Sequence, residues 1–188
     1  MQFNLIRSIK GLFILPVECK KVVKKLFKVF NTLGKDENKM VYLVLIHIIS
    51  AILFIGNIIT AAFWKLKAEF SGDETHINKT AKNIMIADYV FTLPSIITLL
   101  ISGFILAIKS NYPLDEINWL TISLALFAIT GLIWIILLLP LQRKMIKYSE
   151  EKFRKSDYKK ASRTWDIIGT ISIIIPIIIL YLMVAKPF

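Results

Sequence analysis

The stretch from Met40 to Trp64, MVYLVLIHIISAILFIGNIITAAFW, decides the fold of this chain. From Val41 onward it contains no Asp, Glu, Lys or Arg. A helix of that length rises by about 36 Å and crosses a hydrocarbon core roughly 30 Å thick with some tilt. The sequence therefore predicts a membrane-spanning helix over residues 41–64.

Three further apolar segments predict helices of the same kind, over residues 84–108, 119–140 and 165–185. The chain is 56% hydrophobic, whereas soluble domains are usually about 45–50% apolar. No alternation of apolar and polar residues favours strands in these long runs. We predict an all-α membrane protein in which residues 41–188 form a four-helix transmembrane bundle, with both termini on one side.

Residues 1–40 form a basic N-terminal arm. In its CKKVVKKLFKVF stretch, apolar residues recur at helical spacing and lysines fill most of the other positions. This amphipathic pattern is typical of an interfacial helix that lies on a membrane surface with its lysines among the headgroups. A poorly ordered basic tail is the alternative.

The net charge of +11 comes from 24 Lys+Arg against 13 Asp+Glu. The basic residues lie mostly outside the apolar spans, so the expected partner is a bilayer with anionic lipids and not nucleic acid. One cysteine, Cys19, cannot form a disulfide within these 188 residues.

Basic residues also predict the orientation in a bacterial cytoplasmic membrane. The connections 65–83 and 141–163 contain four and nine Lys/Arg, whereas the 109–118 turn contains one. We therefore expect 65–83 and 141–163 to be cytoplasmic. The arm opposes this orientation, because its nine Lys/Arg would then lie outside.

Polar side chains in the first span have no hydrogen-bonding partner in lipid and must face other helices. His47 and Asn57 share one side of this helix, and no other histidine lies in a predicted span. The opposite side carries Gly56 and Thr60, a pair of small residues four apart that lets helices approach closely. That side predicts a homodimer or a membrane-protein partner.

The second span carries Asp88 in its first turns. It is followed at helical spacing by Thr92, Ser95, Leu99 and Ser102. A line of hydroxyls below a carboxylate predicts a face turned towards other helices. Asp88 could carry protons or pair with a cation. Alternatively, it caps the start of the helix, where the helix dipole favours negative charge.

The fourth span has an ionisable residue at each end. Asp166 has the same two interpretations as Asp88, and capping of the helix start is favoured over proton transfer or pairing with a cation. Lys186 closes the span, and its charge is expected to reach the headgroups.

Local signals also predict where the helices bend and end. Pro94 is expected to kink the second span and Pro140 to end the third. Residues 65–83 are expected to form a polar connection. The 141–163 segment is expected to extend the third helix into the aqueous phase and to return through a turn near Ser156–Asp157.

Known catalytic and nucleotide-binding motifs are missing from the sequence. It has no phosphate-binding Gly-rich loop, no H-E-x-x-H and no nucleophile elbow. His76 lies near Asp73 and Glu74, but this composition is more typical of a solvated loop than of a metal site. The sequence favours a protein without catalytic activity of its own and predicts no catalytic residue and no metal site.

Segments from all four spans carry a resemblance to a known family. They are LVLIHIISAILFIGN, ADYVFTLPSIITLLISGFILA, LIWIILLLPLQRKM, and RTWDIIG followed by LMVAKP. In this order they resemble the domain of unknown function 2269 family, bacterial proteins described as predicted integral membrane proteins. The resemblance covers roughly residues 41–187 and leaves out the whole arm. The family pattern also ends in the motif that contains Lys186.

The first span carries His47 early in the helix and Gly56 nine residues later. In this it is similar to the haem-binding protoporphyrinogen oxidase family and the copper-resistance D family, both of four helices. The first resemblance implies haem b with His47 as an axial ligand. The second implies a metal-related function, although the chain has no Met/His cluster that could hold copper. A structural histidine hydrogen-bonded between helices is the alternative.

Three hypotheses for the function follow. The first is a non-catalytic scaffold or assembly partner in the membrane. The second is a haem-b-binding membrane redox protein that uses His47. The third is a small transporter or channel subunit lined by the stripe below Asp88, with Asn57, Ser95 and Lys186 as further polar candidates.

Overall fold

The computed structural model describes residues 40–150 and 153–187. The predicted interfacial helix of the N-terminal arm lies outside these residues. The described elements are α1 (Met40–Ser71), α2 (Glu74–Ala87), π1 (Asp88–Thr92), α3 (Leu93–Lys109), α4 (Trp119–Ile133), π2 (Trp134–Leu138), α5 (Leu139–Tyr148) and α6 (Lys155–Ala185). Four continuous helices, Met40–Ser71, Glu74–Lys109, Trp119–Tyr148 and Lys155–Ala185, are long and apolar enough to cross a membrane. The predicted all-α fold with four membrane-spanning helices is confirmed.

Each predicted span lies inside one of these helices, but the helices are longer than the spans. The connection predicted over residues 65–83 is helical on both sides of Gly72, the residue where α1 gives way to α2. Gly72 has φ 69°, a left-handed conformation that glycine adopts at little cost. The reversal predicted near Ser156–Asp157 is wrong, because both residues lie in the first turn of α6.

Two prolines are accommodated by wider π-helical turns that come directly before them. Pro94 follows π1, where the Leu93 N–H bonds to the carbonyl of Asp88, five residues back. Pro140 follows π2, where the Leu139 N–H bonds to the carbonyl of Trp134. Since a proline has no N–H and its ring crowds the preceding turn, a π turn lets the helix continue. The predicted continuation of the third helix beyond Pro140 is confirmed, because the helix runs on to Tyr148.

The described chain divides into two compact units. Residues 40–57 and 87–113 belong to one of them, which we call the His47 unit. Residues 58–86, 114–150 and 153–187 belong to the other, which we call the Lys65 unit. In the His47 unit, the first part of α1 is joined to π1 and α3 by side-chain hydrogen bonds.

In the Lys65 unit, α4 and α5 pack along α6. The helix α4 begins at Trp119 because Asn118 caps it. The Asn118 side chain accepts hydrogen bonds from the N–H groups of Leu120 and Thr121, and the Thr121 hydroxyl accepts one from the Asn118 N–H. At the other end of the unit, the Asn78 amide on α2 donates to Ser149 Oγ at 2.9 Å, just after α5. An exposed ion pair between Lys82 and Glu150, at 3.2 Å, lies beside this contact.

Candidate functional site

His47 is half-buried in the His47 unit and is hydrogen-bonded to α3. Its Nδ1 lies 2.8 Å from Ser102 Oγ, and Ser102 Oγ donates to the carbonyl of Thr98 at 2.5 Å. A serine hydroxyl has a single proton. Because Ser102 gives that proton to Thr98, it accepts from His47, and Nδ1 carries the hydrogen. In the neutral imidazole the lone pair is therefore on Nε2.

Gly103 lies directly against the His47 ring. A Cβ placed on Gly103 would come within 3.2 Å of His47 Cε1 and 3.8 Å of Nδ1. The first distance is tighter than ordinary van der Waals contact, so a side chain at 103 would push the ring away from Ser102. The glycine thus permits the close approach that positions the imidazole.

Asp88 belongs to a second polar group in the same unit. The Asn57 amide donates to Asp88 Oδ1 at 3.0 Å and to Thr92 Oγ1 at 2.8 Å. Thr92 Oγ1 in turn donates to Asp88 Oδ1 at 3.0 Å. Asp88 and Thr92 are buried and Asn57 is half-buried. The alternative that Asp88 caps a helix start is wrong, because the helix begins at Glu74, fourteen residues earlier.

The Lys65 unit contains a cluster of charged and hydroxyl side chains that we call the Lys65 cluster. It consists of Lys65 and Glu69 on α1 with Tyr158, Ser162 and Asp166 on α6. The Lys65 side chain is only 3% exposed, and its Nζ lies 2.7 Å from Asp166 Oδ1, 2.7 Å from Ser162 Oγ and 2.9 Å from Glu69 Oε1. An ammonium group has three protons, and these three acceptors use all of them.

Glu69 is the second hub of the cluster. Its Oε1 accepts hydrogen bonds from Ser162 Oγ and from Tyr158 OH, the latter at 3.0 Å. The ring of Trp165 completes the surroundings, with its centroid 5.4 Å from Lys65 Nζ, within the range of a cation–π contact. The cluster thus joins the polar end of α1 to the start of α6.

The protonation states in this cluster follow from these contacts. Glu69 and Tyr158 lie outside the apolar spans 41–64 and 165–185. Burial raises the pKa of the Glu69 carboxyl. Hydrogen bonds from Ser162, Lys65 and Tyr158, together with the charge of Lys65, lower it by more than burial raises it. The pKa of Glu69 is therefore below its ordinary value. Burial and the Glu69 carboxylate raise the pKa of the Tyr158 phenol. Tyr158 therefore stays protonated and donates.

The structure brings together some of the residues that the sequence singled out. His47 meets Ser102, and Asn57 meets Asp88. Ser95 is buried within α3. Lys186 belongs to the other unit: it is exposed in a left-handed conformation after α6, with Nζ 5.4 Å from the Trp119 ring centroid. Within residues 40–150 and 153–187, no group of three or more His, Cys, Asp or Glu side chains could hold a metal ion.

Sequence reasoning missed the Lys65 cluster. It assigned Lys65 to a polar connection and Asp166 to a helix cap, whereas the two form a 2.7 Å ion pair between helices. One signal was available: Lys65 and Glu69 are four residues apart, as are Ser162 and Asp166, so each pair shares one helix face. The partnership between the two pairs joins positions about 100 residues apart and has no local signature.

Comparison with known proteins gives one match. The model of a family described as "Predicted integral membrane protein (DUF2269)" matches residues 41–187 of the chain. No curated protein and no solved structure matches it.

Proposed function

The chain belongs to the DUF2269 family of predicted integral membrane proteins, and we propose that it is a non-catalytic scaffold or assembly partner in the bacterial cytoplasmic membrane. The observation that carries this proposal is the hydrogen bonding of Asp88. In lipid, a polar group without a partner is costly, and Asn57 and Thr92 supply partners from within the unit. Such bonds support a role in holding helices together.

The exposed side of α1 supports a homodimer as the simplest assembly. Gly56 and Thr60 both lie on that side, and a Cβ placed on Gly56 meets no atom within 4 Å. A bulky residue there would separate two packed helices. We expect Gly56→Leu to convert the dimer to a monomer, measured by light scattering of the detergent-purified protein.

Gly131→Leu is the matched control, because a Cβ at Gly131 also meets nothing within 4 Å. It should leave the oligomeric state unchanged. A monomeric wild-type protein, or equal dissociation in both variants, would contradict a dimer through Gly56 and Thr60.

The proposal includes the orientation with residues 65–83 and 141–163 in the cytoplasm. In a Cys19→Ser background, a cysteine at Lys109 should react with a membrane-impermeant thiol reagent added to intact cells. A cysteine at exposed Lys79 should react only after the membrane is permeabilised. The reverse pattern would overturn the orientation and leave the scaffold role open.

Haem binding is a second candidate function, and the Ser102 hydrogen bond favours it. A proton fixed on Nδ1 leaves Nε2 of His47 able to ligate iron, the arrangement in which another side chain orients a metal-bound imidazole. His76 lies on α2, outside the predicted span 84–108. A second histidine ligand would therefore be His76 or a histidine from another copy of the chain.

An absorption spectrum tests this candidate. The purified protein, oxidised and dithionite-reduced, should show a Soret band that His47→Ala abolishes and Ser102→Ala shifts or weakens. If no band forms even after haem is added, His47 is a structural residue and the scaffold role stands.

A transporter or channel subunit remains the third candidate, with Asp88 as its central residue. Proteoliposomes that contain the protein would be tested for solute flux. A flux that is lost in a folded Asp88→Asn variant would contradict the scaffold proposal and support this candidate. The hydrogen bonds from Asn57 and Thr92 to Asp88 instead favour a structural role.

A further inference from the structure

One face of α6 is exposed from its basic beginning to its apolar end. The positions three or four apart along this face are Lys159, Arg163, Ile167, Ile171, Ile174, Ile178 and Tyr181, and all of them are exposed. The opposite face carries Tyr158, Trp165 and Pro176, which are buried. Because the predicted span starts at residue 165, the exposed isoleucines face lipid, and the two basic residues continue the same stripe beyond the span.

The spacing puts the charges at the depth of lipid headgroups. Arg163 comes one turn before Ile167, about 6 Å along the axis, and Lys159 comes about 12 Å before it. The headgroup region of one leaflet is roughly 5–7 Å thick beyond the hydrocarbon core. Flexible stems let both charges reach it.

The acidic residues of α6 are paired with other cations. Asp157 and Asp166 are its only acidic residues. Asp166 is 2.7 Å from Lys65, and Asp157 is 3.6 Å from Arg154. These two carboxylates therefore have other partners and do not pair with Lys159 or Arg163.

We propose that this stripe is a binding site for an anionic phospholipid. Lys159 and Arg163 would bind the headgroup phosphate, with Arg163 offering a planar fork of donors. An acyl chain would lie along Ile167, Ile171 and Ile174. The continuity of charge and apolar surface favours a lipid over a free phosphate, which would use only the basic part. The site does not depend on the scaffold role.

Native mass spectrometry of the full chain in detergent tests the proposal, by titration with phosphatidylglycerol and with phosphatidylcholine. We expect the first phosphatidylglycerol to bind about 25-fold more tightly than phosphatidylcholine. Each juxtamembrane charge contributes about fivefold to the binding of anionic lipid. Lys159→Gln with Arg163→Gln should therefore weaken phosphatidylglycerol binding by about 25-fold and leave phosphatidylcholine binding unchanged.

Two matched variants separate a site from general charge. Lys79→Gln with Lys109→Gln removes two exposed positive charges from other helices and should change binding by less than about twofold. Lys159→Arg with Arg163→Lys keeps both charges and should retain binding. Thermal unfolding in detergent confirms that each variant is folded.

Three results would overturn the proposal. They are equal affinity of the wild type for the two lipids, no loss in the Lys159/Arg163 glutamine variant, and equal loss in both glutamine variants. Displacement of the lipid by glycerol 3-phosphate at matched concentration would also overturn it, because the apolar stripe would then contribute nothing.

Discussion

The two units of this protein stabilise buried polar groups in different ways. In the His47 unit, the Asp88 carboxylate accepts hydrogen bonds from an amide and from a hydroxyl. In the Lys65 unit, a buried ammonium group is shared between two carboxylates. The hydrogen bonds of Asp88 involve residues of the apolar spans 41–64 and 84–108, whereas the Lys65 cluster lies at the ends of spans. In the Lys65 cluster water still reaches both carboxylates, whose side chains are 27% and 40% exposed.

Removing the Lys65 ammonium tests the charged cluster and should have the largest effect. Lys65→Met leaves Glu69 and Asp166 without their cation. Breaking a fully buried pair costs roughly 3–5 kcal/mol, and these carboxylate side chains are 27% and 40% exposed. We expect a loss of about 2–3 kcal/mol in the free energy of unfolding, measured by denaturant titration in detergent micelles.

Lys67→Met is the matched control for this variant. Lys67 is exposed on the same helix, with its Nζ 4.9 Å from the Trp64 ring centroid. Its loss should change the free energy of unfolding by less than about 1 kcal/mol. Equal effects of the two substitutions would show that the Lys65 cluster adds no stability.

Gly103→Ala tests the packing of the His47 unit. The new methyl group would lie 3.2 Å from His47 Cε1, so the ring must move and its hydrogen bond to Ser102 weakens. We expect this displacement to cost about 1–2 kcal/mol, against a gain in helix propensity of up to about 1 kcal/mol. Gly131→Ala meets no atom within 4 Å and should instead be neutral or stabilise the helix by up to about 1 kcal/mol. Similar unfolding curves for both variants would contradict the close contact.

A double-mutant cycle on Asn57 and Asp88 measures the free energy of the hydrogen bond between these two side chains directly. Hydrogen bonds between membrane helices contribute about 0.6 kcal/mol on average and up to about 1.7 kcal/mol. We expect the coupling between Asn57→Ala and Asp88→Ala to fall in that range, below the loss caused by Lys65→Met. A coupling of zero would mean that the two side chains are satisfied equally well by other partners.

The sequence was sufficient for the spans and for the polar stripe of the second span, because both depend on local periodicity. Asp88, Thr92, Ser95 and Ser102 are all buried. The sequence did not indicate the π turns that precede Pro94 and Pro140 or the helical structure of residues 65–83, since neither a π turn nor a helical extension has a distinct composition. It also failed at Lys65, because a lysine beyond an apolar span is usually solvated. Its burial depends on Ser162 and Asp166, which only the packing of α6 brings near.

Acidification gives the smallest and most selective test of the charged cluster. The folded-state pKa of Glu69 is below its ordinary value because of Ser162, Lys65 and Tyr158. Its contribution to stability is therefore fully present above about pH 4.3, the usual glutamate pKa, and is lost as pH falls through the folded-state value.

At pH 7 we expect Glu69→Gln to be less stable than wild type by less than about 1 kcal/mol, because the carboxylate is partly exposed. At pH 3 this difference should shrink, whereas Glu74→Gln, at an exposed position, should match wild type within about 0.5 kcal/mol at both pH values. A difference for Glu69→Gln that does not change with pH would mean that packing, and not charge, holds this residue in the cluster.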